Sequence, residues 1–173
     1  MVSHVFAARS AWAMAFGLTA MAHSAAADAP HTRTGRFHLD APCAQVFPLF
    51  TAKGETKWAE GWRPEMLSGD ARRGSVFRTQ HAHGAVATWI VTDYDPAAGR
   101  VSYARLTQGS NIGLVDVRCS TDGAGSAIDV TYTLTGLDAD GDAFAATFTS
   151  EAHYTAMIEE WRLALTKALA AKP

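Results

Sequence analysis

Between residues 75 and 136 apolar and polar side chains alternate with a period of two, and turn signals interrupt the alternation at short intervals. Ser68-Gly69-Asp70, Ala82-His83-Gly84, Asp95-Pro96 through Gly99, Gln108-Gly109-Ser110 and Asp122-Gly123-Ala124-Gly125 are the breaks. They predict strands over 75–81, 85–94, 100–107, 112–120 and 126–136. The last is the clearest: Ile128, Val130, Tyr132 and Leu134 alternate with Asp129, Thr131, Thr133 and Thr135, so one face is buried and the other meets water. Loops this short join antiparallel neighbours, giving a meander.

Different periods flank the meander. Residues 36–40, reading RFHLD, form a short strand, and Pro42 then suits the first turn of a short helix carrying Val46, Phe47, Leu49 and Phe50. Gly54 separates this from a second helical piece over 55–60, and Gly61-Trp62-Arg63-Pro64 is irregular because the residue before proline avoids the α region. From 143 to about 170 the apolar period is helical. Phe144, Tyr154, Ile158, Trp161, Leu165 and Leu169 fall on one stripe with His153, Glu160 and Lys167 opposite, and Asp140 or Asp142 caps the start. A one-faced antiparallel sheet and a one-striped helix cover each other, which makes this an α+β fold.

Composition narrows the field. The chain has 173 residues, 48% hydrophobic and 18% charged, which suits one domain with a sizeable core and excludes disorder or coiled coil as descriptions of the whole. With 15 Lys and Arg against 17 Asp and Glu, the basic surface that binds nucleic acid is missing. Before Asp28 the only permanently charged side chain is Arg9, followed by the apolar run from Ala11 to Ala22. Twelve helical residues reach roughly 18 Å, short of the ~30 Å bilayer core, so no stable membrane span is expected. Ala25 and Ala27 fit a signal-peptide cleavage site. The expected organisation is a signal peptide over 1–27, a flexible linker over 28–34 and one domain over 35–171, exported to the periplasm or secreted.

Candidate chemistry is sparse. Glu151 interrupts the apolar stripe of the helix, as do Thr147, Thr155 and Arg162, and a carboxylate there needs a partner, solvent or a ligand. It is the leading pocket residue. The alternatives are pairing with Arg105 or exposure at the rim. Arg105 shares a strand face with Tyr103 and Val101, so one register points it inward toward a ligand carboxylate or Glu151, and a shift by one places it in water. Trp58, Trp62 and Trp89 are cavity walls or core. Glu55 and Trp58, three apart, read as fixing the entry of the following loop. His81 and His83 lack a third metal ligand nearby. Asp138, Asp140 and Asp142 imitate a calcium loop but are followed by Ala143 and Thr149 where Gly and Glu belong. No metal site and no cofactor motif are expected. Cys43 and Cys119 are too few for zinc and read as either one disulfide or two buried thiols.

The motif Gly54-Glu55-Thr56-Lys57-Trp58, continued by Gly61-Trp62-Arg63-Pro64 and preceded by Phe47-Pro48-Leu49-Phe50, joins Tyr154, Met157, Ile158 and Trp161 on the helix. With the order of elements, these residues resemble the START-like (SRPBCC) superfamily, in particular its bacterial polyketide-cyclase-like members. The resemblance implies a helix-grip fold: a curved antiparallel sheet wrapped around a long carboxy-terminal helix, with two short helices after the first strand and a cavity open near them. It pairs the first strand with the last, which brings Cys43 and Cys119 toward one end and favours the disulfide. It also implies that the protein holds a small hydrophobic or amphipathic molecule, with Trp58, Trp62, Trp89, Tyr103, Arg105, Glu151, Thr155 and Ile158 as the lining. The alternative is a cofactor-free cyclase, dehydratase or hydrolase with Glu151 as general acid or base. A third reading, a partner-binding module filled by its own side chains, goes with a pocket under roughly 200 Å³, below the usual ~300–1,000 Å³.

Overall fold

The computed structural model describes residues 29–80 and 84–171. The expected signal peptide, His81 and His83 lie outside these residues. Strand β1 (His31–Leu39) leads into helix α1 (Cys43–Val46), a 3₁₀ turn (Phe47–Phe50) and helix α2 (Ala52–Glu55). Six strands follow: β2 (Glu65–Ser68), β3 (Val76–Gln80), β4 (Val86–Asp95), β5 (Arg100–Thr107), β6 (Asn111–Asp122) and β7 (Gly125–Gly136). The chain ends in helices α3 (Ala139–Phe148) and α4 (Glu151–Ala170).

The strands form one antiparallel sheet in the order β1-β7-β6-β5-β4-β3-β2, so the first strand closes onto the last and the rest is a meander. Strand twist curves this sheet, and its inner face carries the alternating apolar residues read from the sequence. Val91, Tyr103, Val115 and Tyr132 lie in one cross-strand row, with Phe77, Trp89, Arg105 and Gly113 in the next.

Several elements depart from expectation: β2 is a strand where none is expected, and α2 covers Ala52–Glu55 with Gly54 inside it, not 55–60 after it. Strand β1 starts at His31, so most of the expected 28–34 linker is sheet. Thr32 and Thr34, β-branched and suited to a pleat, meet Thr133 and Thr131 of β7 through hydroxyl pairs at 3.1 and 2.8 Å. The expected single helix over 143–170 is two. The Thr149 hydroxyl bonds the Ala145 carbonyl at 2.8 Å, and Arg33 of β1 donates from Nε to the Thr149 carbonyl at 2.7 Å, which ends α3; Ser150 then caps α4. Finally, the α3 cap is Asp138, accepting from the Gly141 N–H at 2.7 Å, while Asp142 is held by His31 at 2.8 Å. These roles account for the acidic run.

Helix α4 seats on the inner side of β1 and β7. The Tyr154 hydroxyl donates to the Val130 carbonyl at 2.9 Å, and Ile158 packs where Gly35 has no side chain: a Cβ there would stand 2.4 Å from Ile158 Cγ1. At the other end, a disulfide between Cys43 and Cys119 ties α1 to β6 across 76 residues of sequence.

Candidate functional site

The motif between the short helices and β2 builds one wall. Thr51 caps α2 by accepting from the Gly54 N–H at 3.0 Å, and Gly54 is obligatory because a Cβ would fall 2.0 Å from the Pro48 carbonyl oxygen. The chain then turns so that two indole N–H groups reach back, Trp58 to the Leu49 carbonyl at 2.7 Å and Trp62 to the Ala52 carbonyl at 2.8 Å. The tryptophans of the motif are thus tethers whose rings border the interior. Trp58 meets Trp161 of α4 edge-on at 5.2 Å between centroids, and Trp62 meets Trp89 of β4 at 5.7 Å. Phe77 stacks on Trp89, whose N–H donates to Thr79, and the Tyr103 hydroxyl donates to the Phe50 carbonyl at 2.7 Å.

These rings enclose a cavity of about 140 Å³ beneath α4. A second cavity of about 530 Å³ adjoins it, sharing Trp62, Trp89 and Tyr132 as walls and bounded by Phe144 and Phe148 of α3 and Met157 of α4. The interior is therefore more filled by aromatic side chains than a single open helix-grip chamber. The larger space lies where α3 and α4 part.

Two ionisable groups face these cavities without a countercharge among the described residues. Arg105 is 7% exposed, and its position between Trp89 and Gly113 in the cross-strand row offers it no carboxylate. One Nη donates to Thr107 at 2.8 Å, the guanidinium lies 5.3 Å from the Trp89 ring centroid, and Nε has no acceptor among the described residues. Burial pulls its pKa below the ordinary guanidinium value. Asn111, at the same cavity, has an equally orphaned buried Oδ1. Glu55 ends α2 and lines the smaller cavity. It retains some accessible surface because it borders that space, yet burial alone, with no hydrogen bond or cation to offset it, raises its carboxyl well above the usual carboxylate range. The Tyr103 and Tyr132 hydroxyls are likewise pushed up by burial and stay protonated.

Of the residues expected to line the cavity, Trp58, Trp62, Trp89, Tyr103 and Arg105 converge on it. Glu151 and Thr155 do not: both are exposed. The break at Thr149-Ser150 makes Glu151 the first residue of α4, at the helix end and in its first turn, where a carboxylate favours the positive end of the dipole. Nor does Glu151 pair with Arg105. Ile158 is buried, but against Gly35 in the core. The sequence reading gives Glu55 and Trp58 together a role in fixing the loop, of which Trp58 takes the tether to Leu49 while Glu55 lines the smaller cavity, and does not single out Tyr132, which lines both cavities. The signal for Tyr132 is its place on the apolar face of β7; α2 is too short to show which way Glu55 points.

A curved antiparallel sheet gripping a carboxy-terminal helix over an aromatic interior defines a helix-grip protein of the START-like kind. A family model described as polyketide cyclase / dehydrase and lipid transport matches residues 30–167, and the chain belongs to that family. Among solved structures, it is similar to Ara h 8.0201, with 13% identity over 82% of this chain and 99% of that one and a TM-score of 0.60. Norcoclaurine synthase from Thalictrum flavum gives a TM-score of 0.60 at 10% identity, covering 83% of this chain and 90% of that one. A protein from Mesorhizobium loti gives 0.62 at 13% identity over 82% and 98%. At such identities these likenesses establish the fold alone. No curated protein matches the sequence. No helix among the described residues is long and apolar enough to cross a membrane.

Proposed function

We propose that the protein binds a small amphipathic molecule whose apolar or aromatic body lies against Trp62, Trp89, Phe148 and Met157 and whose oxygen-bearing end faces Arg105. The observation that carries this reading is the buried guanidinium with an orphaned Nε and no carboxylate, at the wall of a cavity of about 530 Å³. An uncompensated buried charge costs several kcal/mol, and a ligand carboxylate, phenolate or carbonyl oxygen supplies the missing acceptor. The cavity falls within the usual ~300–1,000 Å³ ligand range, which weighs against a module filled only by its own side chains. An enzyme acting through Glu151 has lost its acid–base group to solvent. Export belongs to the same proposal, supported by the amino-terminal pattern and by a disulfide of the kind that persists in oxidising compartments.

The test is displacement of an apolar fluorescent probe by a medium-chain carboxylate and by its methyl ester. Arg105→Met should weaken the carboxylate roughly tenfold or more and the ester much less, as expected for loss of a charge-assisted contact. Failure of every such probe to bind a protein with intact circular dichroism would end the proposal.

A further inference from the structure

We propose that the smaller compartment around Glu55 is a subsite for a cationic amine, so that the ligand held by this cavity carries an ammonium group at the end remote from Arg105. The inference rests on the reading that the interior holds a ligand. It adds a second pole to that ligand.

The geometry is a carboxyl group in an aromatic box. Trp58 and Trp62 come from the loop, Trp89 and Tyr103 from the sheet, and Trp161 from α4. Ring faces carry partial negative charge and attract a cation within ~6 Å of a centroid, Trp most strongly. The N–H groups of Trp58, Trp62 and Trp89 and the hydroxyl of Tyr103 are engaged by the protein, so their donor edges are bound and their rings line the space without offering it a donor. In such a box the partner missing from the protein is a positive charge. Glu55 has none among the described residues: the cavity walls they form contain no Lys or Arg. Phe77, Trp89, Val115 and Val117 of β3, β4 and β6 are uncharged, as is Trp161. Tyr103 of β5 and Tyr132 of β7 are the titratable neighbours, and burial keeps both hydroxyls protonated. Arg105 lines the larger cavity and Glu55 the smaller, with Tyr132 bordering both, so the two groups belong to different compartments.

A space of about 140 Å³ admits an ammonium or methylammonium group with a few attached carbons, not a whole drug-sized ligand. The remainder of the molecule then extends past Trp62, Trp89 and Tyr132 into the larger cavity. Without a cation the carboxyl of Glu55 holds its proton to unusually high pH, because burial disfavours the charge. Entry of an ammonium ion reverses the balance: Glu55 ionises, its proton leaves to solvent, and a carboxylate–ammonium pair forms among the rings. Binding is therefore coupled to proton release. It strengthens as pH rises toward the raised pKa of folded Glu55 and weakens once the amine itself loses its proton.

Calorimetric titration with 2-phenylethylammonium and with neutral 2-phenylethanol tests this, in two buffers of different ionisation enthalpy and over a series of pH values rising from the ordinary carboxyl value of 4.5, above which burial keeps the proton on Glu55. The cation should bind about tenfold or more tightly than the alcohol and release up to one proton per molecule bound. Glu55→Gln should remove the preference and the proton release while leaving 2-phenylethanol and the carboxylate probe of Arg105 unaffected. That last readout shows that the variant is folded. Equal affinities for cation and alcohol, or cation binding without proton release, overturn the amine subsite. Binding of neither, by protein that still takes up the carboxylate probe, overturns it as well and leaves the Arg105 reading standing. Loss of all three ligands overturns both.

Discussion

A carboxyl group enclosed by indole and phenol rings titrates differently from one in water, and its effect on stability has a definite sign. Burial raises the pKa of folded Glu55 above its ordinary value of 4.5, so the folded chain keeps a proton that the unfolded chain has lost. The stability tied to this proton is complete below the unfolded value and is lost as pH rises through the folded one. Urea midpoints of the wild type should therefore fall relative to those of Glu55→Gln across that window, by at most about 1.4 kcal/mol per pH unit; parallel pH profiles would show that the carboxyl is not enclosed. Arg105 makes the complementary case. Removing a buried, unpaired guanidinium with Arg105→Met should leave thermal stability unchanged or raise it by about 1–2 kcal/mol, even as carboxylate binding is lost, and marked destabilisation would mean that the charge has a partner after all. The inward register of Arg105 is one of two that alternation allows along β5. Glu55 was harder to read, because α2 has four residues and so short a helix shows no periodic face.

Along the helical elements, one glycine and one break decide where the carboxy-terminal helix lies. Gly35 lets α4 approach β1 so closely that an added methyl would meet Ile158 at 2.4 Å and Tyr154 at 3.0 Å. Ile158 is β-branched and stiff in a helix, and Tyr154 is pinned by its bond to Val130, so neither yields easily. Gly35→Ala should cost about 1–3 kcal/mol in chemical denaturation, and a cost near zero would mean that the helix is free to shift. The stripe of Tyr154, Ile158, Trp161 and Leu165 was legible in the sequence and holds in α4. The interruption was not, since threonine and serine are tolerated within helices. What ends α3 is Arg33, more than a hundred residues earlier, whose Nε takes the Thr149 carbonyl. A stripe drawn through that point counts Glu151 as a mid-helix position; in the structure it opens α4 and, like Thr155, is exposed.

Across the complete chain, closure depends on β1 pairing with β7 and on the disulfide that ties α1 to β6. Opening a loop that spans 76 residues should lower the unfolding free energy by about 2–4 kcal/mol, measured as a shift of the denaturation midpoint with reductant or in Cys43→Ala/Cys119→Ala, and an unchanged midpoint would mean that the bond restrains little of the unfolded ensemble. Strands β3 to β7, their antiparallel order, the apolar face of β7 and the stripe of α4 were written in local periodicity, because a residue's preference for water or interior repeats with the geometry of its own element; the short, exposed β2 and the first half of β1 were not. Contacts between segments distant in sequence settled the rest: which of two registers faces Arg105 inward, where the helix breaks, whether two cysteines meet, and that Glu55 rather than Glu151 is the enclosed acid. Periodicity registers which side of an element is dry. It carries no record of which groups are left without a partner there, because that depends on what the other elements bring to the same space.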